Sequence, residues 1–215
     1  MKTYVLLILI LFQFTHLFSQ EEGWTRGYIQ LASGGTKDGY VKIAKYGTPN
    51  KEFIKYKRGK GSDAEKFLNT QVGKVFLKDE KSGEESEFEF VELFEDKIYF
   101  MRVVVRGNTT LYARKQSITL VGAPTMEGAG AGQGLNMPMG IWGPYTFGNF
   151  NEYYAFREGE DYPTGLIEVK FSKPFKEKAS EYFKDCPSLS KKIENKEFKK
   201  KQVKEAVEYY NSECQ

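Results

Sequence analysis

Ile98-Tyr99-Phe100-Met101-Arg102-Val103-Val104-Val105, then Arg106-Gly107-Asn108, then Thr109-Thr110-Leu111-Tyr112-Ala113-Arg114-Lys115: the fold turns on how this stretch reads. Ile98 to Val105 is apolar on both faces except at Arg102, the pattern of a strand covered on both sides, so it is predicted to be a central strand. Gly107-Asn108 is a two-residue turn signal, and Thr110 to Lys115 is expected to pair back. The middle of the chain is thus an antiparallel hairpin, and its neighbours must be strands able to extend it.

Both flanks supply them. Upstream, Glu87-Phe88-Glu89-Phe90 alternates strictly and continues to Leu93, with Glu95-Asp96-Lys97 turning the chain. Lys74 to Lys78 carries Val75 and Leu77 and is followed by a charged turn, Asp79 to Glu85. Still earlier come Gly27 to Leu31, a Gly- and Asp-rich turn over Ser33 to Gly39, and Tyr40 to Tyr46 with Val41 and Ile43 on one face. A second turn at Gly47-Thr48-Pro49-Asn50 leads into Lys51 to Arg58, which alternates around Ile54 and Tyr56. Downstream, Glu152 to Arg157 and Tyr162 to Phe171 read as a hairpin around Glu158-Gly159-Glu160-Asp161. The alternation of apolar and polar residues is that of antiparallel sheet with one side wet. The expected fold class is α+β: mainly an antiparallel β meander, curled or barrel-like, over residues 21–171, with a helical segment over 172–215.

The helical segment is read from a change of period. Phe175, Ala179, Tyr182 and Cys186 recur at helical spacing, as do Val203, Ala206, Val207, Tyr210 and Cys214. Pro174 follows Ser172, a cap residue, and Pro187 opens a second short helix holding Leu189 and Ile193. A third helix is expected from about Phe198 to Asn211. None could bury its stripe alone, so they must pack on the sheet or on one another.

Residues 1–20 have the layout of a secretory signal: basic Met1-Lys2, an apolar run from Val5 to Phe12, its extension to Phe18, and an exit near Gln20. The alternative, a membrane anchor, is disfavoured because Gln13, Thr15 and His16 interrupt a stretch already short for a span. Cleavage near Gln20 would send the chain to the periplasm or the cell-envelope surface. It would also remove His16, the only histidine, and with it any Ser-His-Asp or His-ligated zinc chemistry. Two cysteines are too few for a Cys-rich metal site, so no metal and no cofactor are expected. In an oxidising compartment the pair Cys186 and Cys214 reads as a disulfide, with two buried thiols as the alternative.

Charge excludes other classes. With 32 basic and 29 acidic side chains the balance is nearly neutral, and the tail is only mildly basic, without the concentration that nucleic-acid binders show. Lys199-Lys200-Lys201 reads as a solvated helix start. Gly128-Ala129-Gly130-Ala131-Gly132-Gln133-Gly134 lacks the Gly-Lys-Ser/Thr and the following helix that a phosphate loop requires, so no nucleotide is expected. The acidic groups Glu84-Glu85, Glu87-Glu89 and Glu158-Glu160-Asp161 sit in turns or on a polar strand face, where solvation is the simpler reading than a hydrolytic pair or a calcium site. Asn108-Thr109-Thr110 fits a glycosylation acceptor but coincides with the hairpin turn.

Residues 122–150 differ from everything around them. They hold eight glycines, one charged residue (Glu127), and Met126, Met137, Met139, Trp142, Tyr145, Phe147 and Phe150. Three readings stand: a loop whose apolar side chains fold back on the sheet, a loop facing a partner protein or the outer membrane, and a segment without fixed structure. The seven apolar side chains are the candidate interface. The leading expectation for function is therefore a non-enzymatic binding or accessory module of the envelope. The alternatives are a carboxylate-based hydrolase or carbohydrate-binding protein using Trp142 and Tyr145, and a structural scaffold.

Gly27-Tyr28-Ile29 followed by Gly35-Thr36-Lys37-Asp38-Gly39-Tyr40-Val41, then Val105 to Tyr112, then Asp185-Cys186-Pro187-Ser188-Leu189 with Ile193, and finally Tyr210-Asn211-Ser212-Glu213-Cys214 together resemble a group of small exported proteins of Bacteroidota. The Ser19-Gln20 end of the signal is similar to signals of that phylum. The resemblance spans most of the chain after residue 20 and implies architecture and compartment. It transfers no catalytic residue, and residues 122–150 are longer and more apolar than the group would imply.

Overall fold

A computed structural model of the protein describes residues 23–79, 82–115, 152–169 and 173–214. The expected signal (1–20), the candidate interface from Met126 to Phe150 and the cap Ser172 lie outside the described residues. Ten strands form one antiparallel sheet: β1 (Thr25–Leu31), β2 (Thr36–Ala44), β3 (Phe53–Lys57), β4 (Glu65–Phe67), β5 (Val72–Lys78), β6 (Glu85–Phe94), β7 (Lys97–Val105), β8 (Thr109–Arg114), β9 (Glu152–Arg157) and β10 (Thr164–Ile167). Their spatial order is β10-β9-β8-β7-β6-β5-β1-β2-β3-β4, so the sheet is open rather than a closed barrel. The order is a meander except where β5 returns to pair with β1.

The predicted central strand is central. β7 pairs with β6 on one side and β8 on the other. β8 is buried at all six positions, more than a sheet with one wet side would allow. The reason is that both its faces are covered. On one face, Leu111 joins a cluster with Ala155, Leu166 and the helices. On the other, Tyr112 packs with Tyr99, Met101 and Tyr154. The short β4 carries only three residues, Glu65-Lys66-Phe67, too few to show an alternation, and the sequence reading did not include it.

From β7 to β3 the sheet curls over its own concave face. Ile29, Val41, Ile54, Val75 and Leu77 are fully buried there with Phe88 and Phe100, whose rings stack at 5.4 Å. A twisted sheet of this width bends rather than lying flat. Strands β3 and β7 do not pair, but the residues leading into β3 reach across to β7. Asn50 N–H donates to the Ile98 carbonyl at 3.0 Å, and Ile98 N–H donates to the Asn50 side chain at 2.8 Å. Phe100 N–H donates to the Glu52 carboxylate at 2.5 Å. Side chains thus bridge the gap that strand pairing leaves open. Asn50 adopts a positive φ of 60°, a conformation that Asn tolerates better than most residues.

The same face, further along, is covered by the helical segment. Helices α1 (Phe175–Tyr182), α2 (Pro187–Glu194) and α3 (Val203–Glu213) bury Ala179, Leu189, Ile193, Val203, Ala206 and Val207 against β8–β10. Pro187 is the first residue of α2, as expected. Pro174 precedes the first residue of α1 rather than lying within its first turn, and α3 begins after a short 3-10 turn at Lys200–Gln202. Cys186 caps the start of α2 instead of ending α1. It is bonded to Cys214 at the end of α3, with Cα atoms 5.6 Å apart. The disulfide fits an oxidising compartment. Among the described residues no helix is long and apolar enough to cross a membrane.

Two contacts lock the helices to the sheet. Arg157, at the end of β9, lies over the rings of Tyr182 (4.3 Å) and Tyr210 (4.4 Å). Its guanidinium donates to Asp185 at 3.0 Å and to the Tyr182 carbonyl at 2.9 Å. Asp185 also accepts from the Tyr210 hydroxyl at 2.5 Å. The second contact is Asn211, whose amide accepts from Thr109 N–H (2.8 Å) and donates to the Thr109 carbonyl (2.9 Å), as a neighbouring strand would. This corrects the reading of Gly107. The loop between β7 and β8 holds three residues, Arg106 to Asn108, and the ladder before it shifts between Val103 and Val105. A Cβ at Gly107 would stand 2.4 Å from the Asn211 amide. The glycine makes room for Asn211.

Reducing the disulfide is expected to lower stability by about 3–4 kcal/mol, the loop-entropy value for a separation of 28 residues. Urea unfolding with and without reductant measures it; equal midpoints would show that the bridge contributes nothing. Arg157→Lys keeps the charge but loses the flat stacking and the fork, and is expected to cost about 2 kcal/mol. Amide hydrogen exchange should then speed up in α1 and α3 before it does in β6 and β7.

Candidate functional site

Of the carboxylates that the sequence offered for acid–base work, Glu84, Glu87 and Glu89 are held by cations. Glu87 and Glu89 project from β6 on the outer face and share Arg106, at 2.6 and 2.9 Å; Lys74 adds a second cation to Glu87 at 2.7 Å. The Tyr112 hydroxyl donates to Glu89. Partial burial pushes the Glu87 carboxyl up, but hydrogen bonds and charge from Lys74 and Arg106 outweigh it and hold it below its ordinary value. Glu84 pairs with Arg102 at 3.4 Å. Glu160 is not a solvated turn residue, since its carboxylate accepts from the Tyr182 hydroxyl and from Arg157 N–H, each at 3.0 Å.

Charged side chains that the sequence did not single out are buried, among them Arg114, Glu152 and Glu52. Arg114 bonds Glu152 at 2.6 Å, with the Tyr99 ring 4.1 Å from the guanidinium. Glu152 is completed by Tyr154 and by Val169 N–H, so the pair is saturated within the sheet. Glu52 is only 6 % exposed. Burial raises its carboxyl to about 7 despite hydrogen bonds from Phe100 and Gly47 N–H and the charge of Arg114, which pull the other way. Both oxygens serve backbone donors, which makes it a clamp on the curl rather than a proton carrier. Nothing in the local sequence Asn50-Lys51-Glu52-Phe53 distinguishes it from a surface glutamate.

An open concavity lies at the other end, between β10 and the helical segment. It encloses about 440 Å³, within the range of roughly 300–1,000 Å³ that small-molecule sites occupy. Its floor is apolar: Leu166, Ile167 and Ile193 are buried, and Phe175 and Phe198 are half-buried beside them. Its rim is basic: Lys173, Lys176, Lys196, Lys199 and Lys200 all line it. The one lining carboxylate, Glu168, is already paired with Lys178. Among the described residues none of the five rim ammonium groups enters a salt bridge, whereas Lys184, Lys192 and Lys204 on the same segment do.

Local structure explains how one rim residue is set. Helix α2 ends in a Schellman turn: Glu197 N–H donates to the Lys192 carbonyl (2.9 Å) and Lys196 N–H to the Ile193 carbonyl (3.0 Å). The residue at the left-handed position of such a turn is usually glycine. Here it is Lys196, with φ of 63°. A side chain there costs about 1 kcal/mol, so the chain carries a lysine at the rim against its backbone preference. The sequence reading took Lys199-Lys200-Lys201 for a solvated helix start; Lys199 and Lys200 line the concavity and Lys201 is exposed. The signal was faint because the five lysines are spread over residues 173–200 and meet only after the helices pack.

Glu52 gives a pH signature. The folded chain keeps its proton up to about pH 7, while the unfolded chain releases it near 4.5. Between those values the folded state binds the extra proton, so stability falls as pH rises through the window, by on the order of 3 kcal/mol. Glu52→Gln should lose that slope, whatever its absolute stability; parallel stability–pH curves for the two proteins would sink the assignment.

In comparison with known proteins, the chain matches no family model, and neither a similar curated protein nor a similar solved structure is found.

Proposed function

We propose that the protein is an exported, non-enzymatic binding module of the cell envelope, an accessory component that holds a ligand or partner. The observation that carries this reading is the basic-rimmed cleft at β10 and the helices, where exposed lysines stand beside half-buried Phe175 and Phe198. Elsewhere the charged clusters serve the fold: Arg106 ties Glu87 and Glu89, Arg114 ties Glu152, and Arg157 ties Asp185. A hydrolytic pair needs one carboxyl kept protonated, and Glu87 is shifted the opposite way. The disulfide supports an oxidising compartment, and the periplasm or envelope surface is the one that the signal-like residues 1–20 and the likeness to exported Bacteroidota proteins favour. Met126, Met137, Met139, Trp142, Tyr145, Phe147 and Phe150 form a second proposed contact, toward a protein partner or the outer membrane, and rest on composition alone.

Three forms of the protein separate these surfaces in recovery from native envelope: the intact chain, Lys173→Glu with Lys199→Glu, and a deletion of residues 122–150. A stoichiometric component lost on charge reversal is expected if the cleft is the binding site. Loss only on deletion would move the site to residues 122–150. Equal recovery from all three folded proteins would end the binding reading and favour a structural role.

A further inference from the structure

We propose that the cleft takes a single-chain anionic amphiphile: one acyl chain carrying a carboxylate or phosphate head. This rests on the reading of the cleft as a binding site and names the chemistry it selects. Five lysines and one already paired carboxylate leave the rim with an excess of positive charge. An anion placed among Lys196, Lys199 and Lys200 gains from several ammonium groups at once. Inorganic anions would need no more than that. The floor is what points to a chain: half-buried Phe175 and Phe198, packed against buried Leu166, Ile167 and Ile193, present apolar surface beside the lysines. A ligand with a charged head and an apolar body satisfies both halves, and one without either half leaves the other unmatched.

The shape favours a free amphiphile over a bilayer. Membrane-surface binding inserts a projecting apolar face into the lipid, whereas here the apolar residues form the floor of a concavity and the lysines its lip. A monomer can enter that space, whereas a bilayer meets the lysine lip first. Lys196 stands on that lip in the left-handed conformation. At φ 63° glycine would relieve the backbone, yet the position bears a long cationic side chain lining the cleft.

The test is titration of the full chain, by calorimetry at fixed ionic strength, with dodecyl phosphate kept below its micelle concentration. One-to-one binding is expected. Shortening the chain to decyl should weaken it by about fourfold per methylene removed. Inorganic phosphate and dodecanol should each bind at least about tenfold more weakly, and Lys196→Glu should cost about tenfold. Lys196→Gly supplies the control for folding: it should raise the unfolding midpoint while weakening dodecyl phosphate. Equal affinity for inorganic phosphate would reduce the cleft to an anion site, and equal affinity for dodecanol to an apolar patch. Binding to vesicles of anionic lipid but not to the monomer would transfer the surface to membranes. Binding indifferent to both Lys196 variants would place it elsewhere. Each of these overturns the proposal, as does the absence of any binding. If amphiphiles fail while the envelope component is still lost on charge reversal of Lys173 and Lys199, the binding site stands and only its ligand class is wrong.

Discussion

One face of one sheet must be kept from water along its whole width, and that constraint organises the molecule. The ten strands are too many to lie flat. The chain covers the face twice over. At the β1–β7 end it bends until the residues before β3 touch β7, and Ile29, Val41, Phe88 and Phe100 fill the curve. At the β8–β10 end three helices, closed by Cys186–Cys214, lie across it. Leu111 and Phe100 belong to the same side of the sheet, one under the helices and one inside the curl.

Such an arrangement depends on polar side chains at its seams. Where the curl meets β7, Asn50 and Glu52 stand in for a missing ladder. Where the helices meet the sheet, Arg157 and Asn211 do the same. In each place a long or amide side chain meets backbone donors or carbonyls that would otherwise be stranded under cover. The cleft lies where the helices stop short of full coverage, between β10 and the turns that connect α2 to α3. Its apolar floor is thus the continuation of the core, and its lysines come from the connections, except Lys176 in the first turn of α1.

How much of this the sequence disclosed depended on whether the signal was local. β7 was legible because its apolar run is unbroken but for Arg102, and β9 because Glu152 to Arg157 is bounded by clear turns. The helical period identified α1 to α3, and the oxidising compartment together with that period identified the disulfide. β4 was too short to alternate. Gly107 read as a turn residue, although its small size serves a residue more than a hundred positions away. Glu52, Arg157 and the five lysines of the cleft looked like surface charge, since only tertiary packing sets one carboxylate under a curl and gathers distant ammonium groups around Phe198. Seams and sites are long-range properties, and alternation and periodicity report short-range ones.

The winding of the sheet has a kinetic meaning. Among the described residues every ladder but one joins strands that follow each other in sequence. Where the connection is short, such a pair can form as soon as its two arms exist; β8 and β9, which register Leu111 against Ala155, lie about as far apart in sequence as β1 and β5. The exception is β5, which must find β1 across the already folded β2–β4 excursion. Until it does, β1 and β5 each present an unpaired edge, and two growing hairpin stacks wait side by side. Registering Ile29 against Val75 is therefore, with registering Leu111 against Ala155, a step at which topology slows the search, and a moment at which a half-made chain is exposed to pairing with a neighbour.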